Sequence, residues 1–194
     1  MNKWWLIIAS GPSLTRADCD SLRGIGTTIA VNRAVFFAPW ADILYAGDNS
    51  FWKAYGPDVA WFRGERVTHE KYKNTRQFKG DYHFRQFGDN SGRQAIQYAV
   101  SRGARKLAWL GFDYKHADDG RKHCHEDYPR QVRVDNETVS FANAANTNRW
   151  VKTMRSTAHD LKRMRVEALN LSRDTAIDCI PRMSVEEFII YASR

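Results

Sequence analysis

Runs of apolar residues separated by short polar turns recur along the chain, and several have the length of a buried strand. They cover residues 4–9, 27–31, 41–46, 105–113 and 166–172. The first is too short for a membrane helix and suits a strand buried on both faces. A Gly-Pro-Ser turn follows at residues 11–13. We expect this turn at the strand's carboxyl end, where ligands bind in open α/β sheets.

Segments with helical spacing or helix signals separate these runs. Asn90 or Ser91 can cap a helix that ends at Gly103, and another helix is expected from about residue 146 to 165. Ser184 and Glu187 have the spacing of a capping box at the start of a closing helix. Residues 57–88 give a weaker signal of short strands and loops. The alternation predicts a Rossmann-like α/β fold, a mostly parallel sheet with helices on both faces, in a single domain.

Composition favours one compact domain with a substantial core. The 194 residues are 43% apolar and 13% aromatic. The three cysteines, Cys19, Cys124 and Cys179, are widely spaced and suit reduced thiols. No signal peptide or membrane span is recognisable, so a cytoplasmic location is expected. The net charge of +8 indicates an anionic partner, either a phosphorylated small molecule or a nucleic acid.

Residues 114–145 form a long polar insertion rich in His and Asp. Loops of this length inside a compact domain are usually functional lids or disordered segments, and we expect a lid. Within it, His116, His123 and His125 lie close together in sequence. Histidine exchanges protons near neutral pH, which suits a general base. Asp113 comes directly before the insertion and is a further candidate for proton transfer.

Four blocks in order carry a resemblance to a known family: "IIASGPSL", "IAVNRA", "DILYAGDNSFWKAY" and "DNSGRQAIQYAVSRGARKLAWLGFDY". They resemble the bacterial sialyltransferases of glycosyltransferase family 42 and the related motility-accessory-factor flagellin glycosyltransferases. The tail from residue 168 is similar to the ending of that superfamily. There are two departures. The usual Gly-Asn-Gly-Pro-Ser is Ala-Ser-Gly-Pro-Ser at residues 9–13, and the chain is shorter than most members.

The resemblance implies a nucleotide-sugar site at the carboxyl edge of the sheet. The nucleotide contacts that it implies are Gly11, Pro12, Ser13, Asn32, Asp48, Asn49, Ser91 and Gly92. Tyr114 and Tyr128 are added because a tyrosine can donate to a phosphate. Glycine at residue 11 would let the backbone approach a phosphate, and Tyr128 would assist the leaving phosphate. The family uses a lid histidine as base, which implies His123 or His125 here, with His116 behind them and Asp113 as the fallback.

Each of these residues also has a purely structural interpretation. Ser13, Asn32 and Asp48 can cap the helices that follow them, and Asp113 can cap a turn. A metal site at His123, Cys124 and His125 is a competing interpretation, although no second ligand pair with zinc spacing is present. Our assignment therefore includes no metal ligand.

The function expected from the resemblance is transfer of a glycosyl group from a nucleotide sugar to an acceptor hydroxyl, without a resident cofactor. Two alternatives stay open. One is transfer of diphosphate from ATP to a small alcohol, as in the related archaeal pterin diphosphokinases, which requires a divalent metal. The other is a nonenzymatic nucleotide- or nucleic-acid-binding protein of the same fold. The charge of +8 also leaves a nucleic-acid acceptor open.

Overall fold

The computed structural model describes residues 3–69, 82–84, 90–125, 133–134, 137–138 and 144–194. Its strands are β1 (Trp4–Ile8), β2 (Gly26–Val31), β3 (Ile43–Tyr45), β4 (Glu65–His69), β5 (Tyr82–Phe84), β6 (Lys106–Leu110), β7 (Arg133–Val134), β8 (Glu137–Thr138) and β9 (Glu167–Asn170). Seven of them form one sheet in the order β5-β4-β3-β2-β1-β6-β9, and each adjacent pair is parallel. The strands β7 and β8 form a separate antiparallel pair.

Helices connect the parallel strands. They are α1 (Arg16–Ser21), α2 (Asn49–Tyr55), α3 (Ser91–Ser101), α4 (Ala144–Arg163) and α5 (Val185–Ala192), and 3₁₀ helices cover Asn32–Phe36 and Pro57–Val59. The α5 capping box is present, with the Ser184 hydroxyl accepting from the Glu187 N–H and the Glu187 carboxylate accepting from the Ser184 N–H. None of the described helices is long and apolar enough to cross a membrane.

Alternate residues of the central strands face opposite sides of the sheet, and both sides are covered by helices. Ile7, Ile29 and Trp109 pack with α3 and α4 on one face. Leu6 and Ile8 pack with α1 and α5 on the other. Strands buried on both faces are expected to be continuously apolar, as β1 is. The predicted Rossmann-like α/β fold, with helices on both faces of a parallel sheet, is therefore confirmed.

The order of the strands places a switch point between β1 and β6. From β1 the chain proceeds to β2 and on to β5 at one edge, then returns to β6 on the other side of β1 and continues to β9. The loops after β1 and β6 therefore leave the sheet in opposite directions and open a crevice at its carboxyl edge. Ligands of doubly wound sheets bind in such a crevice.

The structure shows secondary-structure elements in the two parts of the chain where the sequence pattern was least regular. Residues 57–88 contain β4 and β5 in addition to the short helix Pro57–Val59. The expected insertion, residues 114–145, is described at 114–125, at the β7–β8 pair and from residue 144, where α4 already begins. Its role as a lid stays a prediction.

Candidate functional site

A cleft lies at the switch point and is lined by the loops that follow β1, β2 and β6, by the start of α3 and by the start of α4. The cleft has a volume of about 120 Å³ and opens to solvent. Sequence-predicted residues on its wall are Gly11, Pro12, Asn32, Ser91, Gly92, Asp113, Tyr114, His116 and His123. Loops widely separated in sequence thus contribute to one concave site at the edge where α/β proteins bind ligands.

The loops after β1 and β6 are joined by Ser13 and Asp113, which are 100 residues apart in sequence. The Ser13 N–H donates to Asp113 Oδ2 at 2.6 Å, and the Ser13 hydroxyl donates to Asp113 Oδ1 at 2.8 Å. Both oxygens of the carboxylate are therefore engaged by a single residue. Ser13 does not cap α1, because Thr15 does so by accepting from the Asp18 N–H.

The Asp113 side chain is almost completely buried, at 1% exposure. Burial raises the pKa of its carboxyl from 3.8 to about 6, and the two hydrogen bonds from Ser13 oppose that shift. Asp174 raises the pKa further and Lys115 lowers it. The carboxyl group therefore gains or loses its proton near pH 6, at a position that joins the two walls of the cleft.

The two glycines beside this pair make close backbone contacts. A Cβ built on Gly11 would lie 2.5 Å from Asp113 Oδ1 and 2.5 Å from the Gly111 carbonyl oxygen. Gly111 has a φ of +72°, and its Cβ would lie 2.2 Å from the Ala9 carbonyl oxygen. Gly11 therefore admits neighbouring protein groups to its backbone. Gly11 also lines the cleft, and the approach of a phosphate to its backbone stays a prediction.

Asn32 begins the 3₁₀ helix after β2 and has a φ of 53°, a left-handed conformation that Asn adopts more readily than most residues. Val31 is the residue that precedes this helix, and no side-chain hydrogen bond caps it. The Asn32 Oδ1 atom is buried and has no hydrogen-bond partner among the described residues. The structural interpretation of Asn32 as a cap is therefore wrong, and an acceptor is left on the wall of the cleft.

The start of α3 forms a second wall. Asn90 caps this helix by accepting from the Arg93 N–H at 2.9 Å, and it also accepts from the Tyr114 hydroxyl at 3.1 Å. A Cβ on Gly92 would meet the Phe112 ring at 2.9 Å, so glycine permits this close packing. The amino terminus of an 11-residue helix thus meets the cleft, where its dipole favours an anion.

An aromatic wall continues from Tyr114 to α4. Tyr114 lies 6.0 Å from the Phe112 ring and 5.8 Å from the Trp150 ring, between centroids. The Trp150 Nε1 atom is buried and has no hydrogen-bond partner among the described residues. An indole nitrogen can only donate, so its partner must be an acceptor, such as the oxygen of a ligand or a water. The His116 Nε2 atom is also buried without a partner in the described part of the chain.

The first part of the insertion, up to residue 125, returns over the β1 loop. The Cys124 N–H donates to the Ser10 carbonyl oxygen at 3.2 Å. The rings of His123 and His125 stack with centroids 5.0 Å apart and planes inclined by 13°. His123 lines the cleft, whereas His125 is not among its lining residues. The structure thus separates two histidines that the sequence treats as equivalent.

The remaining predicted residues lie elsewhere. Asp48 occupies the cap position of α2 without a side-chain cap bond, and its Oδ2 accepts from the Ser91 hydroxyl at 3.3 Å. Neither Asp48 nor Asn49 is among the lining residues, although Asp48 reaches the cleft wall through Ser91. Ser13 is also not among the lining residues, and it is connected to the cleft wall by its two hydrogen bonds to Asp113. Tyr128 lies outside the described residues.

A metal centre at the histidines receives little support from the donor groups. Across the described ranges, no group of three or more His, Cys, Asp or Glu side chains is placed to hold a metal ion. Burial raises the pKa of the Cys124 thiol to about 12.

Sequence reasoning missed the contribution of α4. Thr147, which is 8% exposed, and Trp150 both line the cleft from the first turns of this helix. The sequence placed Trp150 on a helix as an apolar position, and nothing local distinguishes an indole in a core from one on a cleft wall. Lys122 also lines the cleft and adds positive charge.

Comparison with known proteins assigns neither a family nor a function to the chain. No protein-family model matches the chain, and neither the curated proteins nor the solved structures contain a match.

Proposed function

We propose that the chain binds a nucleotide sugar in the switch-point cleft and transfers its glycosyl group to an acceptor hydroxyl, as in the family 42 sialyltransferases that it resembles. The observation that carries the proposal is the cleft itself. It gathers blocks of the resemblance that are distant in sequence, including Gly11, Asn32 and Gly92, around one concave site. The amino terminus of α3 and Lys122 make that site favourable for an anion, whereas Lys115 is paired with Asp174 at 2.6 Å.

The unpaired polar groups support a ligand in the cleft. Asn32 offers an acceptor, Trp150 a donor and His116 an imidazole nitrogen, each buried and unpartnered in the described part of the molecule. An unsatisfied buried polar group costs about 1–3 kcal/mol. A nucleotide sugar carries many hydroxyl, carbonyl and amino groups that can satisfy such atoms.

In the proposed reaction, His123 is the base. It accepts the proton of the acceptor hydroxyl while the acceptor oxygen forms a bond to the anomeric carbon. The bond from that carbon to the nucleotide phosphate breaks, and its electron pair leaves with the phosphate. Asp113 is a positioning residue in this scheme, because both of its oxygens accept hydrogen bonds from Ser13.

Binding can be tested by thermal shift with a panel of nucleotides and nucleotide sugars, followed by calorimetry with the most stabilising compound. Trp150→Phe keeps a ring and removes the donor, and Asn32→Gly keeps the left-handed backbone and removes the amide. Each should weaken binding about 5- to 10-fold, the value of one hydrogen bond of about 1–1.4 kcal/mol.

Trp61→Phe is the matched control, because Trp61 is 41% exposed and outside the cleft. It should leave binding unchanged. Glycosyl transfer is then followed as release of the free nucleotide with and without simple sugar acceptors. If no nucleotide sugar stabilises the protein, or if binding is the same in Trp150→Phe and Asn32→Gly as in the wild type, the proposal is refuted. Stabilisation by ATP alone, dependent on a divalent metal, would indicate diphosphate transfer instead.

A further inference from the structure

Positive charge is concentrated on one helix. Residues 144–165 contain six Lys or Arg residues and one acidic residue, a net charge of +5, while the whole chain has +8. In α4 the cations are all exposed, and we call them the basic stripe: Arg149, Lys152, Arg155, Lys162 and Arg163. The helix therefore carries about half of the excess charge of the protein.

The basic stripe follows one side of α4. At 100° per residue, its members lie within one arc of the helix, opposite the buried Met154, Thr157 and Leu161. From Arg149 to Arg163 the stripe extends about 21 Å along the axis, at about 1.5 Å per residue. The buried side fixes α4 against the sheet, so the stripe is presented on a rigid element.

Few of these charges are neutralised by the protein. Arg155 donates to Asp178 at 2.8 Å, but both side chains are more than half exposed, and such surface pairs are weak. Lys152, Lys162 and Arg163 have no ion pair among the described residues. At Lys152, Lys162 and Arg163, an anionic partner would therefore displace no ion pair within the described part of the chain.

The exposed face of α4 is unsuited to a membrane. Between the cations it presents Asn148, Ser156, His159 and Asp160, and within residues 147–163 none of its exposed side chains is apolar, whereas helices that lie in a membrane surface insert apolar side chains below the lipid headgroups. A row of cations on a straight, polar face matches instead a regularly charged chain such as a nucleic-acid backbone. The amino-terminal end of the row reaches the cleft, because Thr147 and Trp150 line it.

We propose that the basic stripe of α4 binds the phosphate backbone of a single-stranded nucleic acid and leads one end of that strand toward the cleft. A single strand fits better than a duplex, since a cleft of about 120 Å³ at the end of the stripe can take the end of one strand but is too small for the end of a duplex. This binding does not depend on the proposed glycosyl transfer, because the stripe and the nucleotide-sugar groups are different residues.

The test measures fluorescence anisotropy with a labelled oligonucleotide of about 16 nucleotides, the upper site size of compact single-strand binders. With about four phosphates neutralised, affinity should fall roughly 50-fold between 50 mM and 200 mM salt. The double variant Lys152→Glu with Arg163→Glu should lower affinity at least 10-fold and flatten the salt dependence.

The control is Lys3→Glu with Arg23→Glu, which makes the same change in net charge at exposed positions outside α4. It should change affinity about 2-fold or less, and melting curves show that both variants fold. The proposal is overturned if the wild type does not bind at low salt, or if the stripe and control variants lose affinity equally. It is also overturned if vesicles of phosphatidylserine and phosphatidylcholine bind the stripe more tightly than the oligonucleotide does. If the stripe variant binds the nucleotide sugar as tightly as the wild type does, the stripe and the cleft bind their ligands independently, and the two proposals are tested separately.

Discussion

Replacing Asp113 by asparagine measures the cost of holding a carboxylate between the two walls of the cleft. The carboxyl has a pKa of about 6 in the folded chain against 3.8 as its ordinary value, because burial outweighs the hydrogen bonds from Ser13. The difference corresponds to about 3 kcal/mol. Below about pH 4 the Asp113 carboxyl is protonated in both the folded and the unfolded chain. Above about pH 6 it is charged in both, and the folded state bears the cost of burying the charge.

The stability that a protonated Asp113 gives is therefore lost as the pH rises from about 4 to about 6. The substituted asparagine does not titrate, so the difference in free energy of unfolding between wild type and Asp113→Asn should change by about 3 kcal/mol in favour of the variant across this range. Urea unfolding of both proteins at a series of pH values gives this difference, and other titrating groups cancel. A difference that is constant with pH, or that grows in favour of the wild type, would refute the reasoning.

Asp18→Asn is a matched control with the opposite sign. Asp18 is 3% exposed, and its two oxygens accept from the Arg173 guanidinium at 2.6 and 2.7 Å. The hydrogen bond from Arg173 lowers the pKa of this carboxyl below 3.8. The stability that the ionised Asp18 gives to the folded chain is present above pH 3.8. It is lost as the pH falls through the lowered pKa that Asp18 has in the folded chain. The advantage of the wild type over Asp18→Asn should thus increase with pH, whereas its advantage over Asp113→Asn decreases.

Two further comparisons test the cleft. His123→Ala should lower turnover in the proposed reaction about 10²- to 10⁴-fold with little change in nucleotide affinity. His125→Ala should lower turnover less, because His125 does not line the cleft. Equal activity in the wild type and His123→Ala would exclude His123 as the base. Gly111→Ala should cost about 3 kcal/mol or more in urea unfolding, since its Cβ would meet the Ala9 carbonyl at 2.2 Å. Gly24→Ala has the same kind of φ, +83°, but no atom within 4 Å of the new Cβ, and should cost about 1–2 kcal/mol; similar costs would contradict the close approach at Gly111.

Local signals explain what could be predicted from the sequence. The strands β1, β2 and β6 are largely apolar because helices cover both faces of the sheet, and that pattern is visible in the chain itself. The caps at Asn90 and Ser184 depend on hydrogen bonds within three residues, so they also follow from sequence. The strand β4 was predicted only as one of the short strands within residues 57–88, and its bounds were not recognised because it begins with charged residues, Glu65 and Arg66, near the sheet edge.

The site was only partly predictable because its decisive contacts are long-range. The residues that follow each strand could be placed at the carboxyl edge, since parallel strands end together there. That Ser13 is bound to Asp113 depends on β1 and β6 being neighbours, which is a property of strand order. The unpaired indole of Trp150 depends on where the first turns of α4 lie, and the long insertion that precedes this helix does not fix that position.

The same long-range contact favours one of the bases that the sequence left open. Asp113 accepts a hydrogen bond from Ser13 on each of its oxygens, and a proton taken up from an acceptor would reduce the charge of the carboxylate and weaken these bonds. His123 also lines the cleft, and an imidazole exchanges protons near neutral pH, which suits it better to the proposed proton transfer. Within the proposed reaction, protonation of Asp113 below about pH 6 would therefore affect the shape of the cleft, while the proton of the acceptor passes to His123.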